Sequence, residues 1–208
     1  MVAPLWFFGF DSLMEFIGFV IAIAVSYQAL KGYKLANERT LLYLHLSFLL
    51  LGAGLAIDGL ANLIVLLVRF HRAFLFLSSL GYTINFIAQV VAYGLLVFAY
   101  IQQTRTSVSQ VAMAAAMPAL LFEHNPVTEL ILLFLLVYIA TQTGINYSVN
   151  KTASASFVFG AFVSLAIAHL FFLFFTFSAP VFFALAQIAQ LFGFLLLLAM
   201  LLRVNHPS

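Results

Sequence analysis

The chain has 208 residues, of which 65% are hydrophobic and only 7% charged, with a net charge of +2 and no cysteine. A soluble domain needs about a quarter of its residues charged to cover its exterior, so the solvent of this chain is lipid. The small net charge and the lack of a basic stripe exclude nucleic acid as a partner, and the absence of cysteine excludes disulfides, thiolate metal sites and a cysteine nucleophile.

Inside hydrocarbon every backbone N–H and C=O must be satisfied within its own segment, so apolar runs of this Leu/Ala/Phe-rich kind form helices. The sequence predicts an all-α integral membrane protein with seven transmembrane helices, at 11–31, 40–68, 73–102, 108–122, 127–147, 154–177 and 180–203, in one polytopic domain over 1–208. The start, Met1-Val2-Ala3-Pro4, has no positive region ahead of a run longer than a signal-peptide core, so the first helix is expected to be retained. That helix carries Asp11 and Glu15. Glu15, like Glu129 at the start of the fifth, is expected about a turn inside the surface, as a solvated carboxylate favoured by the helix dipole.

The second helix combines small residues, Gly52, Ala53, Gly54 and Ala56, with Asp58 and Asn62; small residues let membrane helices approach closely. The third places Asn85 and Gln89 on one face by their four-residue spacing. The fourth, with Ala112, Ala114, Ala115, Ala116 and an interrupting Pro118, offers about 15 residues, or about 22 Å at ~1.5 Å per residue, and reads as a linker that spans fully or by half. The sixth carries His169, and the seventh Gln187 and Gln190. Trp6, Tyr33, Tyr43, Tyr100 and Tyr147 lie near helix ends as interfacial anchors, and most of the 25 Phe are expected as lipid-facing or packing bulk.

Positive residues mark the cytoplasmic side. Lys31, Lys34, Arg39, Arg105, Lys151 and Arg203 fall in one set of connections and at the C-terminus, against Arg69 and Arg72 in the other set, which predicts the N-terminus outside and the C-terminus inside. The plasma membrane is the expected location.

A repeat is also written in the chain. Glu15, Gln28 and Tyr33 recur as Glu129, Gln142 and Tyr147, Leu55–Leu60 as Leu165–Leu170, and Ile87-Ala88-Gln89 as Ile188-Ala189-Gln190. The order implies a three-helix unit at 11–102, the linker helix at 108–122 and a second unit at 127–203, as parallel repeats about an axis along the membrane normal. This three-plus-one-plus-three plan resembles that of the sugar transporters of the SWEET class and the related PQ-loop carriers. Those families carry a Pro-Gln pair in the first helix of each unit, where this chain has Tyr27-Gln28 and Thr141-Gln142.

Ionisable side chains in hydrocarbon cost roughly 2.5–3.5 kcal/mol even on insertion scales, so they face the bundle interior or a wet cavity and mark function. Asp58, Asn62, Asn85, Gln89, His169, Gln187 and Gln190 all fall in the outer half by helix rise, and are expected to converge on a polar ligand-binding chamber open to the outside. Asp58 reads either as an ion, proton or cationic-ligand site or as a carboxylate bonded to Asn62, and His169 either as the partner of Asp58 or as a structural histidine. The glutamines read either as glue between helices or as part of a pseudo-symmetric site.

His45 and His169 lie about 9 and about 25 Å from the inner surface, too far apart to flank one haem iron. His71 and His124, beside Glu123, read either as a surface metal site or as solvated histidines, and His206 as solvated. No zinc, nucleophile-elbow or phosphate-loop motif is present, and the last helix lacks the lysine of a retinal Schiff base. The expectation is therefore a non-enzyme without metal or cofactor whose partners are the lipid bilayer and a small-molecule or ion ligand, in binding or transport. The alternatives are a packing subunit of a larger membrane complex, respiratory for example, or a seven-helix sensory module; other membrane subunits or a second copy are the partners these imply.

Overall fold

The computed structural model describes residues 5–68, 71–104, 126–175 and 181–205. Among them the chain is all helical, with α1 (Leu5–Ala36), α2 (Arg39–Val68), α3 (His71–Thr104), α4 (Pro126–Asn150), α5 (Ala153–Phe175) and α6 (Val181–Asn205). All six are long and apolar enough to cross a membrane, which makes this an integral membrane protein with lipid as its surroundings. The expected helix at 108–122, with its alanines and Pro118, lies outside the described residues, as do Arg69, Arg105, Glu123, His124, His206 and the side chains of Trp6, His71 and Arg72. The six described helices therefore account for the other six of the seven spans expected.

The helices are apolar on every side, as buried membrane helices are. Phe76, Phe134, Leu67 and Val149 turn outward to where lipid would be, while Phe48, Phe162, Phe194, Leu136, Ile139 and Leu197 meet inside as one continuous core. Neighbours in sequence are neighbours in space. The packing runs from α1 to α6 in order and closes where α6 returns to α1, so the six helices form a ring. Contact is denser within α1–α3 and within α4–α6 than across the α3/α4 and α6/α1 seams.

The small residues of α2 do what their size suggests. Gly52 abuts Ala22 and Ile23 of α1, and a methyl group at Gly54 would stand 2.8 Å from the Ala88 Cβ of α3. Further along the same seam a methyl at Gly81 of α3 would meet Ala61 Cβ at 2.7 Å. These approaches leave α2 in the middle of its triplet, close to side chains of α1 and to the backbone of α3.

α1 and α4 end alike. Asn37 (φ 53°) and Lys151 (φ 45°) both adopt the left-handed conformation, and their amides donate to Tyr33 O and Tyr147 O, each at 2.8 Å. This is the single-bond cap in which a left-handed residue satisfies an orphan carbonyl and turns the chain. Thr152 then caps α5, accepting from the Ala155 amide at 3.2 Å.

Several helices also overrun their predicted limits, α1 most of all. α1 starts at Leu5 rather than at 11, which sets Asp11 and Glu15 well inside the helix instead of at its mouth.

Candidate functional site

Four helix segments bring the polar groups together near the end of the bundle that carries the N-terminus of α1. Asp11 and Glu15, one turn apart on α1, face Asp58 and Asn62, one turn apart on α2. Asn85 and Gln89 come from α3, and Gln187 and Gln190 from α6. The two remaining helices add Glu129 from the first turn of α4 and His169 from α5. With Tyr82 and the apolar Leu55, Phe86, Leu132, Phe172 and Phe183, most of these side chains line a cavity of about 50 Å3.

The hydrogen bonds divide the cavity wall into two groups. In the first, Asn62 Nδ2 donates to Asp11 Oδ2 at 2.9 Å and to Glu15 Oε2 at 3.4 Å, and Gln187 Nε2 donates to Asp11 Oδ1 at 3.0 Å. Asn85 Nδ2 donates to Asp58 Oδ2 at 3.1 Å, and Asn85 Oδ1 accepts from Gln89 Nε2 at 3.2 Å. Glu15 and Asp58 line the same cavity from α1 and α2.

In the second group, His169 Nδ1 lies 2.9 Å from Glu129 Oε2, and Tyr82 OH donates to Glu129 Oε1 at 3.3 Å while also meeting Thr128 Oγ1 at 2.8 Å. The Tyr93 ring stands edge-on to the His169 ring with centroids 6.0 Å apart.

Several expectations change. His169 pairs with Glu129, not with Asp58. Asn62 spends its amide on the two α1 carboxylates, and Asp58 takes its donor from α3. Glu15 and Glu129, expected in water, are 4% and 6% exposed. The physical reason is that α1 begins at Leu5, so Glu15 lies well inside it, and that α5 packs His169 against Glu129 in the first turn of α4.

The seven residues singled out from sequence are placed at or beside one site, and six of them, Asp58, Asn85, Gln89, His169, Gln187 and Gln190, line the cavity itself. Asn62 stands behind it, holding two of its carboxylates.

Sequence reasoning passed over Asp11, Tyr82 and Tyr93. The available signal was periodicity: Asp11 and Glu15 share a face, as do Tyr82, Asn85, Gln89 and Tyr93 on α3. His45 has a local partner, with Nδ1 2.8 Å from Ser26 Oγ.

Of the six acidic residues in the chain, four, Asp11, Glu15, Asp58 and Glu129, line this cavity, and among the described residues no lysine or arginine joins them. Nor, among the described residues, are any three His, Asp or Glu side chains arranged to hold a metal ion.

A second cavity, of about 190 Å3, lies at the opposite end between Thr40, Tyr100, Thr143, Asn146 and Ser154. The apolar core, with Phe48, Leu96, Leu136, Ile139 and Phe162, fills the space between the two.

No family model matches the chain, and no curated protein or solved structure matches it.

Proposed function

We propose that the protein is a small-solute carrier of the membrane whose outer-half cavity binds positive charge, in the form of protons or a small cation that donates hydrogen bonds, such as a primary ammonium. The observation that carries this reading is the gathering of four carboxyl groups around one cavity where, among the described residues, His169 is the one basic side chain and no lysine or arginine balances them. Carboxylates in a low-dielectric interior repel strongly and are tolerated only when compensating charge comes to them.

Size narrows the solute. One water needs roughly 10–15 Å3 of such space, so about 50 Å3 holds a few waters or an ammonium-sized cation and excludes a sugar. The shared plan with sugar carriers therefore does not extend to their substrate.

Features that match across the repeat expected from the sequence favour a carrier over a scaffold. The left-handed caps at Asn37 and Lys151 fall at matching positions of the repeat, on matching tyrosines. The close approach of Gly54 to Ala88 corresponds to the bond from Ser164 Oγ to Ala189 O, at 2.7 Å. Two similar triplets joined by looser seams can rock about a site between them, the general behaviour of repeat-built transporters. The basic residues Lys31, Lys34, Arg39, Lys151 and Arg203 cluster at the end away from the acidic cavity, which favours that end facing the cytoplasm of a plasma membrane.

The test is uptake of labelled methylammonium into liposomes containing the full chain, with sodium, potassium and glucose as competitors. Saturable uptake that ammonium inhibits and glucose does not, and that Asp58→Asn abolishes, is the expected result. Uptake unaffected by Asp58→Asn, or inhibited by glucose, refutes the reading; inhibition by sodium or potassium alone shifts the solute to a metal cation.

A further inference from the structure

Three polar atoms in or beside the cavity lie buried without a hydrogen-bond partner among the described residues: Gln89 Oε1, Tyr93 OH and His169 Nε2. Each such atom costs about 1–3 kcal/mol, and a cluster of three at one place calls for an explanation in function. His169 is 2% exposed and Tyr93 0%, so solvent does not supply the missing bonds from the surface.

We infer that Glu129 and His169 form a proton-exchange site distinct from the Asp11/Glu15/Asp58 group, and that the carrier couples solute binding to release of this proton. The inference rests on the function proposed above and assigns its coupling.

The geometry supplies the route. His169 has one ring nitrogen, Nδ1, committed to Glu129 Oε2 and the other, Nε2, free. In the neutral ring one nitrogen donates and the other accepts. With Nδ1–H donating to an ionised Glu129, Nε2 accepts a proton from cavity water, and the imidazolium then passes its Nδ1 proton to Oε2. Glu129 ends neutral, the ring ends neutral with its proton on Nε2, and the site has gained one positive charge from solution. Release is the reverse. Tyr82 OH holds Oε1 and Thr128 braces Tyr82, so Oε2 stays directed at the ring. Tyr93, one turn on from Gln89 along α3, stands edge-on to the His169 ring.

The charged and titratable groups around the site are Asp11 and Glu15 from α1, Asp58 from α2, Tyr82 and Tyr93 from α3, Glu129 from α4 and His169 from α5; α6 faces it with the neutral Gln187 and Gln190. A cation arriving among the first carboxylates repels the proton held beside them, because charges a few ångströms apart in this medium interact by several kcal/mol. That repulsion is the coupling.

Difference infrared spectroscopy of the full chain in liposomes tests it. A pH step is expected to produce a carboxyl band that Glu129→Gln removes and imidazole bands that His169→Gln removes, with the Glu129 band no longer responding in His169→Gln. Methylammonium added at constant pH is expected to discharge the Glu129 band.

A Glu129 band indifferent to pH, or to His169→Gln, overturns the inference. So does methylammonium uptake that proceeds without changing that band, an outcome that leaves the carrier reading standing. A pH-responsive Glu129–His169 pair in a chain that takes up no cation supports the proton site and refutes the carrier instead. Should His169→Gln not fold, the shift of the ring bands in wild-type chain grown on isotope-labelled histidine reads the same proton step, and its absence overturns the inference equally.

Discussion

Gly54→Ala probes the seam that positions the site. The added methyl would sit 2.8 Å from Ala88 Cβ, 2.9 Å from Asn85 Oδ1 and 3.2 Å from Asn85 Cα. Carbon atoms rest at about 3.5–4.0 Å, so α2 and α3 must part by roughly 1 Å, and no rotamer change relieves contacts made by Cβ and backbone atoms. Overpacking of this kind costs about 1–3 kcal/mol, which for a chain of this length lowers the melting midpoint by roughly 2–12 °C at ~2–4 °C per kcal/mol.

The same movement reaches the cavity. Asn85 Nδ2 lies 3.1 Å from Asp58 Oδ2, and another ångström takes it beyond hydrogen-bonding distance. Thermal unfolding of detergent-solubilised protein, followed by helical circular dichroism, gives the stability, and methylammonium uptake in liposomes gives the site. Both are expected to fall together. A Gly54→Ala variant with an unchanged midpoint and full uptake refutes the close approach and, with it, the idea that small residues of α2 set the cavity's geometry.

Asn62→Ala removes the amide shared by Asp11 and Glu15 and is expected to cost about 2 kcal/mol, the loss of bonds to charged acceptors; an unaltered melting curve would show that these carboxyls do not depend on it. Lys151→Gly relieves a left-handed lysine and should raise stability by about 1 kcal/mol. Asn37→Gly at the matching cap should gain less, since asparagine tolerates that conformation, and equal gains in thermal unfolding would contradict this. Gly193→Ala drives a methyl to within 2.9 Å of Leu165 Cγ and 3.0 Å of Ala161 O. It should lower the midpoint much as Gly54→Ala does, but with smaller loss of uptake, because no cavity hydrogen bond crosses that contact.

The sequence by itself determined the solvent, the helical character and the approximate spans, because a chain with so few charges has no other way to satisfy its backbone in lipid. Residue count along each helix also placed Asp58, Asn62, Asn85, Gln89, His169, Gln187 and Gln190 toward one end of the bundle, though it left Glu15 and Glu129 in water. Depth is a one-dimensional property, and residue count measures it.

Who touches whom is not one-dimensional. The pairing of His169 with Glu129 rather than Asp58 depends on which helices are neighbours in the ring and how they are rotated, and nothing local to either residue encodes that. The burial of Glu15 and Glu129 was likewise decided by the overrun of α1 and by the packing of α5 against the start of α4. A carboxylate at a helix mouth and one beneath a neighbouring helix look the same in sequence, and only the packed helices distinguish water from a cavity wall.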